Sequence, residues 1–436
     1  MILPSQAMKT VITTPSTPQE MSIVNGTLWR TDIERFELVQ QPTRLEVEDA
    51  KLDFAGAPSL EERNRMLNGC RGPSKCGFMV PSGYDALAET ASRLSKRCTV
   101  VVATAIFGQK DKLQQPDESA VVPKSQRECF FAFVDQASAR FFLNTASPSL
   151  RRAAKDSKSL LSSKRVGVWQ LLTLKLAQSP YAQPRRASRV PKLLTFRLFP
   201  HAHYSLWLDG KLKLLTPPME LVNRFLRTPR ASLALARNLR RQHIDEEIGW
   251  IRAALTSERQ KLARSDAELV EAQWRFYLQE QRNRSRDNLD AATPVPLSTK
   301  DVSSRWPGEW VKQTACAEGA MILADLRSAT TKCVLCAWFN EWHRFGERDQ
   351  LSLSYVLHSM GLTPSPVDDS GAEPHEDERQ KPLVHRGVYL WPRREHWNYK
   401  PRPGEPKPQK YVRYVGHGGC MDSGSKTKLL RNPGCP

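Results

Sequence analysis

The residues best placed to do chemistry are acids that close apolar runs. Tyr204-Ser205-Leu206-Trp207-Leu208 is nearly all apolar, ends on Asp209, and is followed by Gly210 and Lys211. A run of this kind with an aromatic interior reads as a strand buried on both faces, as in a parallel sheet. Open α/β sheets hold their ligands beyond the carboxyl ends of such strands. Asp209 at that rim can serve a metal or a sugar hydroxyl. An Asp-Gly pair between apolar runs is equally the signature of a two-residue hairpin, and the run alone leaves both readings open. Two more acids share the pattern: Asp111 lies just past the run from Cys98 to Gly108, and Asp135 follows Cys129-Phe130-Phe131-Ala132-Phe133-Val134. Carboxylates along such a rim can hold Mg2+ or Mn2+ while the ion bridges phosphate oxygens. A neighbouring cation, here Lys211, can also meet a diphosphate. Each acid alone is more often a turn residue; their shared placement favours the functional reading.

A second group lies further along. Residues 341–354 crowd Glu341, His343, Arg344, Glu347, Arg348 and Asp349 into what reads as one polar loop between apolar segments. Acid–base groups commonly sit in such loops. Asp349 also suits the N-cap of a following helix, and the two roles are compatible. His201 and His203 are spaced i, i+2, which suits a metal, but after Pro200 a surface loop is the simpler reading. Cys333 and Cys336 make one Cys-x-x-Cys with no second pair, short of the four ligands zinc requires. Nine cysteines over 436 residues are too sparse for a disulfide scaffold, so buried cysteine on an apolar element is the expectation. No Gly-x-Ser-x-Gly elbow occurs, and "GCMDSGSK" misses the phosphate-loop pattern because Ser425 separates Gly424 from Lys426.

These residues need a scaffold. A length of 436 residues, 40% hydrophobic content and 11 tryptophans allow one large or two ordinary domains with a real core. The net charge of +19 favours anionic partners such as nucleic acid, anionic polysaccharide, lipid headgroups or a nucleoside diphosphate. It is spread along the chain, as on a solvated basic surface. No stretch approaches the ~20 apolar residues of a membrane span, and the first residues lack the charged and apolar regions of a secretory signal. Residues 1–95 read as a poorly ordered leader with one helix. "CTVVVATAIFG", "CFFAFVD", "RVGVWQLLTLKL", the run before Asp209, "ASLALAR" and "CAEGAMILAD" read as strands. "KLLTFRLFP", "PMELVNRFLR", the long amphipathic stretch 244–281, and two segments between 334 and 360 read as helices. Alternation of the two argues for an α/β domain over residues 96–360. Residues 361–436 are rich in Pro and charge and read as a partly disordered tail, parts of which dock through "GVYLWP" and "YVRYV".

The blocks "TAIFGQKDKLQQP", "CFFAFVDQ", "VPKLLTFRLFPHAHYSLWLDGKLKL", "EGAMILADLRS" and "CAWFNEWHRFGERDQLSLSYV" occur in an order that resembles the plant mucilage-related and turgor-regulation-defect family. The resemblance covers about residues 98–357. It implies a single nucleotide-sugar-transferase-like (GT-A-like) domain with a mostly parallel central sheet, flanked by flexible terminal segments. It further implies a hexosyltransferase of the Golgi, acting from a nucleotide-sugar donor on a polysaccharide or glycan acceptor of cell-wall type, with a divalent ion, Mn2+ or Mg2+. The candidate assignments are Asp209 as metal ligand; Thr104, Asp111, Asp135, Lys192 and Lys211 for the cofactor; and Asp349, Glu341 and Arg348 for catalysis. The chain departs from the family at Arg237-Asn238 and over 249–272. An alkaline ceramidase activity, also associated with the family, is the alternative; sequence-independent nucleic-acid binding comes third, and no nucleic-acid partner is expected.

Overall fold

The computed structural model of the chain describes residues 22–24, 27–29, 60–70, 76–77, 82–121, 127–149, 164–176, 179, 181, 183–241, 243–256, 270–281, 315–345, 349–363, 383–385, 387–391, 396, 400 and 409–415. Strands β1 (Ser22–Val24) and β2 (Thr27–Trp29) form a short antiparallel ribbon. The body is built on β3 (Val100–Ile106), β4 (Glu128–Asp135), β5 (Arg165–Val166), β6 (Trp169–Leu174) and β7 (Tyr204–Leu208). It continues with β9 (Leu233–Arg237), β10 (Ala317–Asp325), β11 (Leu383–His385) and β12 (Val388–Trp391). These nine strands make one sheet in the order β11-β12-β9-β10-β7-β3-β4-β6-β5. Their pairings set β3, β4, β6, β7, β9 and β12 in one direction and β5, β10 and β11 in the other. The sheet is mixed, with its strands mostly parallel, and the fold is α/β.

Side-chain alternation divides the core into two layers. Val101, Ala103, Phe131, Phe133 and Trp207 face one side, with Leu193, Trp338, Trp342 and Leu353 from helices. Val100, Val102, Phe130, Ala132 and Leu206 face the other, with Phe142, Leu221 and Phe225. Because both faces are covered, successive residues of a strand are all buried, which is why the strands read as continuous apolar runs.

Several expectations change. Two helices precede residue 96 among the described residues, Leu60–Gly69 and Gly83–Leu94, and Leu67, Tyr84 and Ala91 join the core. The cysteine reading is corrected as well. Cys70 bonds Cys333, Cys76 bonds Cys336, and Cys98 bonds Cys129, at sequence separations of 263, 260 and 31. Cys333 and Cys336 lie one turn apart on the helix Ala329–Phe345, so both sulfurs face the same incoming segment. Low cysteine density argues against a disulfide framework only in small scaffolds; here two bridges fasten a remote segment to a large core, and the third ties the chain just before β3 to β4.

The expected polar loop is also corrected. Glu341, His343 and Arg344 belong to the helix Ala329–Phe345, because Trp338, Trp342 and Phe345 carry its buried face through to the end. Asp209-Gly210 is no two-residue hairpin: β8 (Leu212–Leu214) leaves the main sheet and pairs with β13 (Val412–Tyr414), while β7 pairs with β3 and β10. The helix expected at 192–200 begins earlier, as Pro184–Leu193, followed by Thr195–Leu198. The stretch 244–281 is helical over Ile244–Thr256 and 270–281, and 257–269 lies outside the described residues. No helix among the described residues is long and apolar enough to cross a membrane.

Candidate active site

Asp209 sits where β7 ends. Its backbone N–H donates to Ala320 O of β10 at 2.8 Å, and its carbonyl accepts from Leu212 N at 2.9 Å, so the sheet and the turn fix it from both sides. The Trp207 indole, two residues back on the same face, donates to Oδ1 at 3.0 Å. Gly210 allows a close approach: a Cβ there would meet Ile106 Cγ1 at 3.0 Å and the Asp111 carboxylate at 3.2 Å, tighter than ordinary contact. Asp111 thereby lies against the Asp209-Gly210-Lys211 turn.

Lys192 joins the two halves of the site. It lies in the last turn of the helix Pro184–Leu193 and is 2% exposed. Its Nζ donates to Asp349 Oδ2 at 2.6 Å and stands 3.9 Å from Asp209 Oδ1. The ammonium rests 5.6 Å from the Trp338 ring centroid, and the Trp338 indole donates to the Asp349 carbonyl at 2.7 Å. Gly319 leaves the space: a Cβ there would come within 2.9 Å of both Lys192 Nζ and Trp338 Cη2. Arg189, one turn before Lys192 on the same helix face, places Nε 3.6 Å from Asp349 Oδ2. Lys211 places Nζ 3.6 Å from Asp209 Oδ2.

The electrostatics follow from these distances. Burial acts most strongly on the Asp209 carboxyl and acts upward, yet Lys192, Lys211, Arg189 and the Trp207 indole together hold it below the usual carboxylate range. Asp349 is similar and more extreme: burial pushes up, but Arg189 and Lys192 hold it well below that range. Lys211 is lowered by burial and raised more by Asp209 and Glu318, so it stays charged. Glu318 in turn pairs with His396 Nε2 at 3.0 Å. A carboxylate held as low as Asp349 is a poor general base and a good fixed charge.

The other candidates divide. Asp135 caps the helix Gln136–Thr145, accepting Ser138 N at 2.7 Å on Oδ1 and Gly108 N at 2.8 Å on Oδ2, so it shapes the loop after β3. Thr104 is buried in β3, and its hydroxyl has no hydrogen-bond partner among the described residues. Glu341 is removed from the rim group. It is 1% exposed, pairs with Arg63, and accepts the Tyr277 hydroxyl at 2.9 Å, while Arg63 also reaches Glu280 at 2.6 Å. Its part is to fasten the Leu60–Gly69 helix to the core. Arg348 lies outside the described residues. At the departure from the family, Asn238 accepts Arg240 N and Arg241 N at 3.0 and 3.1 Å, a local turn. Sequence reasoning missed Arg189, Trp207, Gly319, Trp338, Glu318 and His396; of these Arg189, three residues from Lys192, and Trp207, two residues from Asp209 on one strand face, carried a local signal.

The implied divalent ion meets a poor donor set. Among the described residues no three His, Cys, Asp or Glu side chains group in a way that could hold a metal. The two oxygens of Asp209 face ammonium groups at 3.9 and 3.6 Å. At an effective dielectric of ~20, a carboxylate ~3 Å from a doubly charged ion attracts it by about 11 kcal/mol, and each ammonium ~5 Å away repels it by about 7 kcal/mol. The two ammonium repulsions together outweigh the attraction of the one carboxylate, so Asp209 with Lys192 and Lys211 beside it does not fit a Mn2+ or Mg2+ site.

Residues 37–368 match the family model described as "TOD1/MUCI70, glycosyltransferase-like domain". The chain is 29% identical over 327 residues to the Arabidopsis thaliana protein named "Probable hexosyltransferase MUCI70", covering 73% of this chain and 48% of that one. It is 28% identical over 308 residues to the Arabidopsis thaliana protein named "Alkaline ceramidase TOD1", covering 70% and 57%. The chain thus spans about half the length of the curated relatives it matches. Among solved structures it is similar to mouse xyloside xylosyltransferase 1, with a TM-score of 0.29 and 12% identity over 60% of this chain and 82% of that one, too slight a likeness to carry an argument. With a family match across most of its length and the α/β sheet described above, the chain belongs to the TOD1/MUCI70 family and carries its glycosyltransferase-like domain.

Proposed function

We propose that this chain is a hexosyltransferase that moves a sugar from a nucleoside diphosphate donor to a polysaccharide or glycan acceptor. The observation that carries the reading is the joining of Asp209 and Asp349 through one buried ammonium, Lys192, at the carboxyl end of β7. In the transfer, an acceptor hydroxyl oxygen bonds to the anomeric carbon, and the bond from that carbon to the distal phosphate oxygen breaks. The electron pair stays on the phosphate, and the hydroxyl proton passes to a rim carboxylate or to water. Charge therefore builds on the leaving diphosphate, where fixed cations stabilise it most. Asp209, one-fifth exposed, is placed to accept from a donor-sugar hydroxyl. Asp349, the alternative general base or donor-orienting group, is read as the latter: it holds Lys192 and Arg189 in position.

The acceptor class, a cell-wall or secreted polysaccharide, and a Golgi address are part of the same proposal. Three disulfides support an oxidising compartment. Ceramide hydrolysis is the second reading, favoured by the likeness to the protein named as a ceramidase. A screen of sugar nucleotides for hydrolysis and transfer, run beside a ceramide assay, separates the two.

A further inference from the structure

We propose that Lys211 and Arg189 bind the donor's diphosphate directly, so that transfer runs without a divalent ion on Asp209. This rests on the transferase reading above and adds what holds the donor. Asp349, Asp209 and Glu318 each have a cation or an N–H as near neighbour, while Asp111 lies against the Gly210 turn. Asp349 is met by Lys192 at 2.6 Å and Arg189 at 3.6 Å. Asp209 is met by Lys211 at 3.6 Å, by Lys192 at 3.9 Å and by the Trp207 indole. Glu318 is met by His396 at 3.0 Å. Mn2+ or Mg2+, which is usually held through one or two carboxylates together with substrate phosphates, would have to displace these ammonium groups from Asp209.

The cations differ in exposure, and that assigns their parts. Lys192 is 2% exposed and pinned beneath the rim, a fixed charge that orients both acids. The side chains of Lys211 and Arg189 are 26% and 18% exposed and flank it, so their charged ends can turn from the carboxylates to an incoming phosphate. Both partners of each ion pair already stand within 4 Å, so little reorganisation is needed to exchange one oxygen anion for another. Guanidinium and ammonium groups together supply what phosphate recognition uses, a planar fork and a point charge. The strand β13 secures this arrangement from the far side, since Val415 N donates to the Lys211 carbonyl at 2.9 Å.

The test measures binding, which needs no knowledge of sugar or acceptor. Uridine and guanosine diphosphates are titrated calorimetrically into the full chain in excess chelator, then with Mn2+ in place of the chelator. The inference predicts that one of them binds in chelator and that Mn2+ changes its affinity little. Lys211→Ala and Arg189→Ala should each weaken that binding by about 10- to 100-fold, the scale of losing one charge-assisted hydrogen bond. Lys211→Arg should retain most of it. Thermal melts of the variants matching the native chain exclude misfolding, as suits side chains this exposed. Binding seen only with Mn2+ overturns the inference while leaving the transferase reading in place. Native affinity in both alanine variants also overturns it. No binding of either nucleotide in any condition overturns the inference, and the transferase reading is then decided separately by donor turnover.

Discussion

Neutralising Asp349 would leave the Lys192 ammonium, 2% exposed, without its nearest carboxylate at 2.6 Å. Asp349→Asn is therefore expected to cost about 3–5 kcal/mol of stability, as for one side of a buried pair, together with most of the activity. Asp209→Asn should fold almost normally, because Asp209 is one-fifth exposed, and lower turnover by about 100-fold or more. Denaturant unfolding beside turnover separates the two; equal stability losses would contradict the geometry. The pH response has a definite sign. A carboxylate held low in the native state stabilises fully above its unfolded value, near ~4, and that contribution is lost as pH falls through the lower native value. Native stability should thus decline below pH ~4, and Asp349→Asn should flatten the decline. Asp209 was legible because an acid ending an apolar run points to a sheet rim, with Lys211 beside it, and Asp349 stood out as an acid in a polar stretch just ahead of a helix. Gly319 and Trp338 were not, since their role depends on β10 passing against the 184–193 helix. Glu341 was placed at the site because its partner Arg63 lies 278 residues away, so nothing near it in the sequence marks its charge as already paired.

Two disulfides join the segment around the Leu60–Gly69 helix to the Ala329–Phe345 helix, and Arg63 adds an ion pair with Glu341 between the same elements. Opening a native bridge typically costs 2–5 kcal/mol, with larger loops losing most in chain-entropy accounts. Reductant is therefore expected to lower the melting temperature, and Arg63→Ala to lower it further by stranding Glu341. An unchanged melt on reduction, with free thiols confirmed, would contradict this. The strands themselves were readable from composition, because burial on both faces demands apolar residues at every position. The helix through Phe345 was readable too, in the i, i+4, i+7 spacing of Trp338, Trp342 and Phe345, but its charged residues obscured it. Cysteine pairing across 263 residues had no local signal.

At the scale of the molecule, the packed body extends beyond the span 96–360 read from sequence. Helices from residue 60 onward and strands β12 and β13 contribute to it. Limited proteolysis without reductant should leave the Leu60–Gly69 segment covalently attached to the core, and reduction should release it. Pro and charge dominate the composition of the terminal pieces, while a few apolar residues, Val388 to Trp391 with Tyr411 and Val412, are buried against the body. The central claim is that the cationic rim joined by Lys192 transfers sugars. It is tested most directly by supplying the full chain with a panel of nucleoside diphosphate sugars and following release of the nucleoside diphosphate, with Asp209→Asn alongside. The account predicts turnover of at least one donor and its near loss in the variant. Turnover of none, with release of sphingosine from ceramide instead, would contradict it.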